Sequence, residues 1–176
     1  MSVHELKVLV VDDEEGMRSG AERSLASFRV HPEDFSDTVG FEVRSEATGA
    51  GAAALIPEWR PDIILLDYKL PDMTGIDVLA RTEGKHDAQI IMITAFASLE
   101  VAVAATKRGA FDFLAKPFTP EELREIVQKA ARHVYLRRKA RKLEEEKRQV
   151  RFEFISVLAH ELKSPLAAVE GYLHIM

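Results

Sequence analysis

Residues 63–75 read IILLDYKLPDMTG. Four branched apolar residues, Ile63 to Leu66, run straight into Asp67. A continuous apolar run of this length reads as a strand buried on both faces, as in a parallel sheet. Asp72 to Gly75 then forms a loop, and Gly75 to Arg81 begins a helix. Three other runs have the same form. Val8 to Val11 ends at Asp12 and Asp13, Ile90 to Ile93 at Thr94, and Phe111 to Ala115 at Lys116. In open parallel α/β sheets, ligands bind beyond the carboxyl ends of the strands. Side by side, these four ends bring three carboxylates, a hydroxyl and an ammonium into one crevice. That set can hold a divalent cation and phosphorylate a carboxylate.

Helical segments lie between the runs. Gly16 to Phe28 is expected to form the first helix, and Val30 to Gly40, with Pro32, a long loop. Phe41 to Arg44 alternates as a short edge strand does. Gly49 to Ile56 reads as a small helix stopped by Pro57, and Leu99 to Arg108 as a helix ended by Gly109. Five strands alternating with five helices imply right-handed βαβ units and a doubly wound α/β sheet.

The fifth helix opens on Thr119-Pro120-Glu121-Glu122, with a capping threonine, proline at the first helical position and glutamate at the third. No stop signal follows. Leu123, Val127, Ala130 and Val134 form one apolar stripe. Leu136, Leu143, Val150 and Val157 then recur every seventh residue, which predicts a coiled coil and a homodimer through the C-terminal helix. Ala140, Lys147 and Phe154 make its second seam row a mixed one.

The chain has 176 residues, of which 47% are hydrophobic, enough for one ordinary domain and an appendage. It has no cysteine, which excludes disulfides, thiolate metal sites and cysteine nucleophiles. No apolar stretch reaches the length of a membrane span, and the N-terminus turns acidic straight after its apolar run, unlike a signal peptide. A cytoplasmic location is expected. Residues 1–119 carry 12 basic and 20 acidic side chains, a balance of −8 that disfavours nucleic acid as a direct partner. Residues 120–176 carry 12 basic and 9 acidic ones, interleaved as on a solvated helix face.

Taken singly, Asp12 and Asp13 could be loop acids, Thr94 a strand-end hydroxyl, Phe113 plain core and Lys116 a surface lysine. Their coincidence carries the functional reading. Residues from about Lys7 to Ala131 resemble a response-regulator receiver domain. The matching pieces are VDDE at Val11 to Glu14, LLDYKLPDMTG at Leu65 to Gly75, ITA at Ile93 to Ala95 and DFLAKPF at Asp112 to Phe118. The resemblance implies a flavodoxin-like five-stranded sheet of order 2-1-3-4-5, with Asp67 as phosphoacceptor. It implies Mg²⁺ on Asp12, Asp13, Asp67 and the backbone carbonyl of Lys69. Lys116 would supply positive charge to the phosphoryl oxygens, Thr94 and Phe113 would form a switch pair, and Lys116-Pro117 would be cis. The phosphodonor would be a histidine kinase or phosphotransfer protein. Lys69 and Phe96, two residues beyond Asp67 and Thr94, would crowd the hydrolytic water and slow self-dephosphorylation.

The last stretch, FEFISVLAHELKSPLAAVEGYLHIM, resembles the phosphoacceptor helix of histidine kinase dimerisation domains from about Arg151 to Met176. As a helix it gathers Phe154, Ile155, Leu158, Leu162, Leu166, Val169 and Leu173 on one face, with His160 opposite. By that resemblance His160 is a second phosphoacceptor, Glu161 its acid–base partner, and Ser164 lies where water is positioned. Pro165 is expected to bend the helix. The expected organisation is a receiver over 1–131, a helical coiled-coil linker over 132–152 and the first part of a phosphoacceptor helix over 153–176. The parent is then expected to be a hybrid histidine kinase. This stretch has no counterpart of the ATP-binding lobe, so ATP would act only in a further domain and the chain should not autophosphorylate. The competing readings are a stand-alone response regulator and a non-enzymatic dimerising receiver module. A phosphatase of the haloacid-dehalogenase type needs a second aspartate where Lys69 stands.

Overall fold

The computed structural model describes residues 3–31, 38–95 and 99–173. The elements are β1 (Val3–Val11), α1 (Glu15–Ala26), β2 (Thr38–Glu46), α2 (Gly49–Trp59), β3 (Ile63–Asp67), α3 (Gly75–Thr82), β4 (Gln89–Thr94), α4 (Leu99–Lys107), β5 (Ala110–Ala115) and α5 (Pro120–Leu173). All five strands are parallel, in the order β2-β1-β3-β4-β5, as expected. The chain divides into two compact units, Met1–Val134 and Tyr135–Met176.

Every residue of β3 and β4 is buried, which is why neither run alternates. Their side chains nevertheless point to the two faces in turn. On one face Leu9, Val11, Ile64, Leu66, Ile90 and Met92 pack with Ala52, Ile56 and Trp59 of α2 and with Val78 and Leu79 of α3. The alternate residues, among them Val8, Val10, Ile63, Leu65 and Ile91, are equally buried beneath the other layer. There α1 and α5 are neighbours: Arg124 donates to the Ser24 carbonyl at 3.2 Å and lies over the Phe28 ring. Leu25 of α1 and Leu123, Val127 and Ala130 of α5 are fully buried, as the apolar stripe predicts.

Two elements exceed their expected length. β2 is nine residues rather than four, paired with β1 from Val3↔Thr38 to Val11↔Glu46. Its outer part is held by Val39 and Phe41, both buried, and by Val30, which exchanges backbone hydrogen bonds with Val39. α2 continues through Pro57 to Trp59. Proline removes one ladder bond, but Trp59 is buried and carries Lys7 and Arg44 against its ring. The helix closes at Arg60, whose left-handed backbone sends its N–H to the Ile56 carbonyl. Gly109, after α4, takes the positive φ of 84° that a glycine stop supplies.

α5 opens on the expected capping box. Thr119 Oγ1 accepts from the Glu122 N–H, and Glu122 accepts from the Thr119 N–H at 2.7 Å. Within the second unit the helix continues past Pro165 to Leu173. Leu136, Leu143, Val150, Phe154, Val157, Leu158 and Leu162 are exposed along it, between 44% and 65%. No helix among the described residues is long and apolar enough to cross a membrane.

Candidate functional site

The ends of β1, β3, β4 and β5 meet as the sheet order requires. Val11 pairs with Leu66, Asp67 with Ile93 and Thr94 with Ala115. One residue on, Asp12 and Lys116 stand at the same rim, and the Lys116 N–H donates to the Thr94 carbonyl at 2.9 Å. Lys116 Nζ lies 2.7 Å from Asp12, 3.1 Å from Asp67 and 3.2 Å from Glu14. Asp12 and Asp67 are 2% and 6% exposed, whereas Asp13 is exposed. A carboxylate oxygen from each of Asp12, Asp13 and Asp67 falls within 4.8 Å of the other two. Asp13, Asp67 and Lys116 border a cleft of about 380 Å³ that Lys69, Pro71 and Ala95 also line.

The electrostatics follow from the burial. Removal from water pushes the Asp12 carboxyl above the usual carboxylate range, against the Lys116 ammonium and the Glu14 N–H that favour its charge. Burial alone would lower the Lys116 pKa. Hydrogen bonds and charge from Asp12 and Asp67 outweigh it and hold Lys116 above the ordinary lysine value. The site therefore carries a fixed cation and a buried acid whose charge is only partly compensated. A second cation would complete that compensation. Mg²⁺ suits such a donor set, taking one or two carboxylates with carbonyls and waters.

Thr94 is buried at the end of β4, and Phe113 is half-buried on β5 opposite Met92. Lys69 is exposed, and its N–H donates to Asp67 Oδ1 at 3.2 Å. Lys116-Pro117 is cis. Phe96 lies outside the described residues, as does the Ser164 side chain. In the second unit His160 and Glu161 are exposed on α5.

Three residues bearing on the site had no role from sequence. Glu14 stood within the VDDE piece as an ordinary acid, yet it is the third partner of Lys116. Arg18, on the first turns of α1, donates from Nη1 to the carbonyls of Asp12 at 2.8 Å and Asp13 at 3.0 Å. Through these backbone bonds it fixes the loop that carries the two carboxylates. Asp72, in the loop after β3, accepts from the backbone N–H groups of Gly49 and Ala50. No local pattern announces a contact across more than twenty residues.

Known proteins match this arrangement. The family profile described as "Response regulator receiver domain" matches residues 8–128. The regulatory protein AtoC of Escherichia coli (strain K12) is 33% identical over 139 residues, 78% of this chain and 28% of AtoC. The regulatory protein LuxO of Vibrio cholerae is 45% identical over 92 residues, 52% of this chain and 20% of LuxO. This chain thus spans between a fifth and about half of the length of the curated relatives it matches. A CheY-like response regulator receiver domain protein from Methanospirillum hungatei JF-1 superimposes with a TM-score of 0.64 at 28% identity, over 75% of this chain and 98% of that one. NtrX from Brucella abortus gives 0.66 at 28% identity, over 79% of this chain and 29% of NtrX. The match begins in the first core strand, ends inside α5 and covers well over half of the sequence, so the chain belongs to the response regulator receiver domain family.

Proposed function

We propose that this chain accepts a phosphoryl group on Asp67 and passes the resulting change to its C-terminal helix. The observation that carries the reading is the buried Asp67 carboxylate, 3.1 Å from Lys116 and in reach of the Asp12 and Asp13 carboxylates. An Asp67 oxygen attacks phosphorus of the donor, forming an acyl phosphate as the bond to the leaving group breaks. Lys116 is already aimed at the carboxylate and meets the phosphoryl oxygens with a full positive charge. Asp12, Asp13, Asp67 and the Lys69 carbonyl would hold Mg²⁺, which would supply charge neutralisation for the phosphoryl oxygens. Thr94 hydrogen-bonds the new phosphoryl group, and Phe113 follows it inward.

In the second unit, His160 is the second phosphoacceptor with Glu161 as its acid–base partner, and two chains associate through the exposed apolar face of α5. The donor to Asp67 is a histidine kinase or phosphotransfer protein. The runner-up is a response regulator in which α5 is only a dimerising stalk. The names of the curated relatives, all regulatory proteins, favour that second reading. Labelling of His160 by an ATP-binding kinase domain supplied in trans separates the two.

Mass spectrometry after treatment with acetyl phosphate and Mg²⁺ tests the main reading. The wild type is expected to gain one phosphoryl group, mapped to Asp67. Asp67→Asn should gain none, and omission of Mg²⁺ should cut labelling by at least tenfold, on the scale of electrostatic contributions at such sites. An unlabelled wild type, or equal labelling of Asp67→Asn, refutes it.

A further inference from the structure

The segment between β3 and α3 leaves Asp67 and returns to Gly75 as a small closed excursion. Lys69 and Thr74 form an isolated bridge, the Leu70 N–H donates to the Met73 carbonyl at 3.2 Å, and the Gly75 N–H donates to the Tyr68 carbonyl at 2.7 Å. Its tip is attached elsewhere. Asp72 Oδ1 accepts from the Gly49 N–H and Oδ2 from the Ala50 N–H, each at 2.8 Å. Both donors are first-turn groups of α2, which its own helix cannot satisfy. The two amides hold the exposed Asp72 carboxyl below the usual range, so the fastening is charged at neutral pH. Met73 adds a steric part: a Cβ on Gly49 would fall inside contact distance of Met73 Cγ and Sδ. The two segments therefore touch backbone to side chain, with no slack between them.

We propose that Asp72 is a positioning residue for the metal, a fastening that fixes the β3–α3 loop against α2 and so sets where the Lys69 carbonyl presents itself. This rests on the reading of Asp67 as phosphoacceptor with Lys69 as a metal ligand. The Lys69 N–H is bonded to Asp67 itself, so the loop begins at the acceptor and can shift only as a whole. Pinning its far end removes that freedom before the ion arrives. Groups that orient ligands from behind are commonly worth one to two orders of magnitude in metal affinity.

A bland role for Asp72 is a remote helix cap for α2, and the fold supplies its control. Thr48 is the conventional N-cap of the same helix, accepting from the Gly51 N–H at 3.1 Å, a bond made within α2's own first turn. Asp72→Ala, Asp72→Asn and Thr48→Ala are compared with wild type by calorimetric Mg²⁺ titration of the unphosphorylated full chain, alongside thermal melting. Asp72→Ala is expected to weaken Mg²⁺ binding about tenfold. Asp72→Asn, which keeps one acceptor oxygen, should fall between it and wild type. Thr48→Ala should lower the melting temperature but leave the affinity unchanged. Raising Mg²⁺ should restore acetyl phosphate labelling in Asp72→Ala. Unchanged affinity in Asp72→Ala, or an equal loss in Thr48→Ala, overturns the proposal while wild-type labelling of Asp67 stands. A wild type that neither binds Mg²⁺ nor is labelled overturns the underlying reading as well.

Discussion

A single carboxylate shows how local chemistry ties the last strand to the last helix. Asp112 on β5 accepts from its neighbour, the Phe113 N–H, at 2.9 Å and from Lys129 on α5. Partial burial works to raise its pKa. The Lys129 and Phe113 bonds together outweigh that and leave the carboxyl below its usual value. A depressed folded pKa contributes stability above the unfolded value near 3.8 and loses it as pH falls through the folded one. Asp112→Asn should therefore destabilise the protein at pH 7, by about 1 kcal/mol or less because Lys129 is largely exposed and screened. The difference from wild type should begin to shrink as pH falls below about 3.8 and vanish only once it has passed below the depressed folded value, as denaturant melts across the pH range would show. Near the cleft the single-residue signals were legible. Asp12, Asp13, Asp67, Thr94 and Lys116 each close an apolar run, and strand geometry delivers them to one rim. Glu14, Arg18 and Asp72 were not, because their contacts depend on how loops fold back rather than on where a strand stops.

Among the elements, β3 and β4 were readable from composition because both faces are covered. β2 was read as half its length because its flank offered little apolar signal, and its register is imposed by β1 instead. The α2 boundary failed for the opposite reason. A local rule about proline was overridden by the buried Trp59 ring three-dimensionally anchored between Lys7 and Arg44. α5 poses the inverse case. Its stretch up to Val134 buries Leu123, Val127 and Val134, while Leu143 and Val150 further along are 49% and 65% exposed. Solvent contact at heptad spacing is costly for an isolated helix and is relieved by a partner helix. Leu143→Asp combined with Val150→Asp is expected to convert a dimer to a monomer by sedimentation velocity. The receiver unit should still accept phosphate on Asp67. A wild type that is monomeric at high micromolar concentration would rule out the seam.

At the level of the whole chain, an acidic unit of balance −8 holds the buried carboxylates, and the basic excess lies beyond it. Mg²⁺ is expected to bind the folded receiver unit and not its unfolded form. At ten times its dissociation constant it should add about 1.4 kcal/mol to that unit's stability. Calorimetric scans should show the receiver transition moving upward with Mg²⁺ while helix loss in residues 135–173, followed by circular dichroism of the same chain, stays in place. Equal movement of both signals would mean that the two units melt together.

Lys116 joins partners that lie 102 and 49 residues earlier in the chain, and it sits after the fifth strand of the sheet. Closing contacts over such separations comes late, since each must overcome the entropy of a long loop. During synthesis, Asp67 leaves the ribosome well before the lysine that faces it. A half-made chain thus displays the Asp67 carboxylate without its counter-charge, and on the proposed function no message could be written on it until translation has passed the final strand.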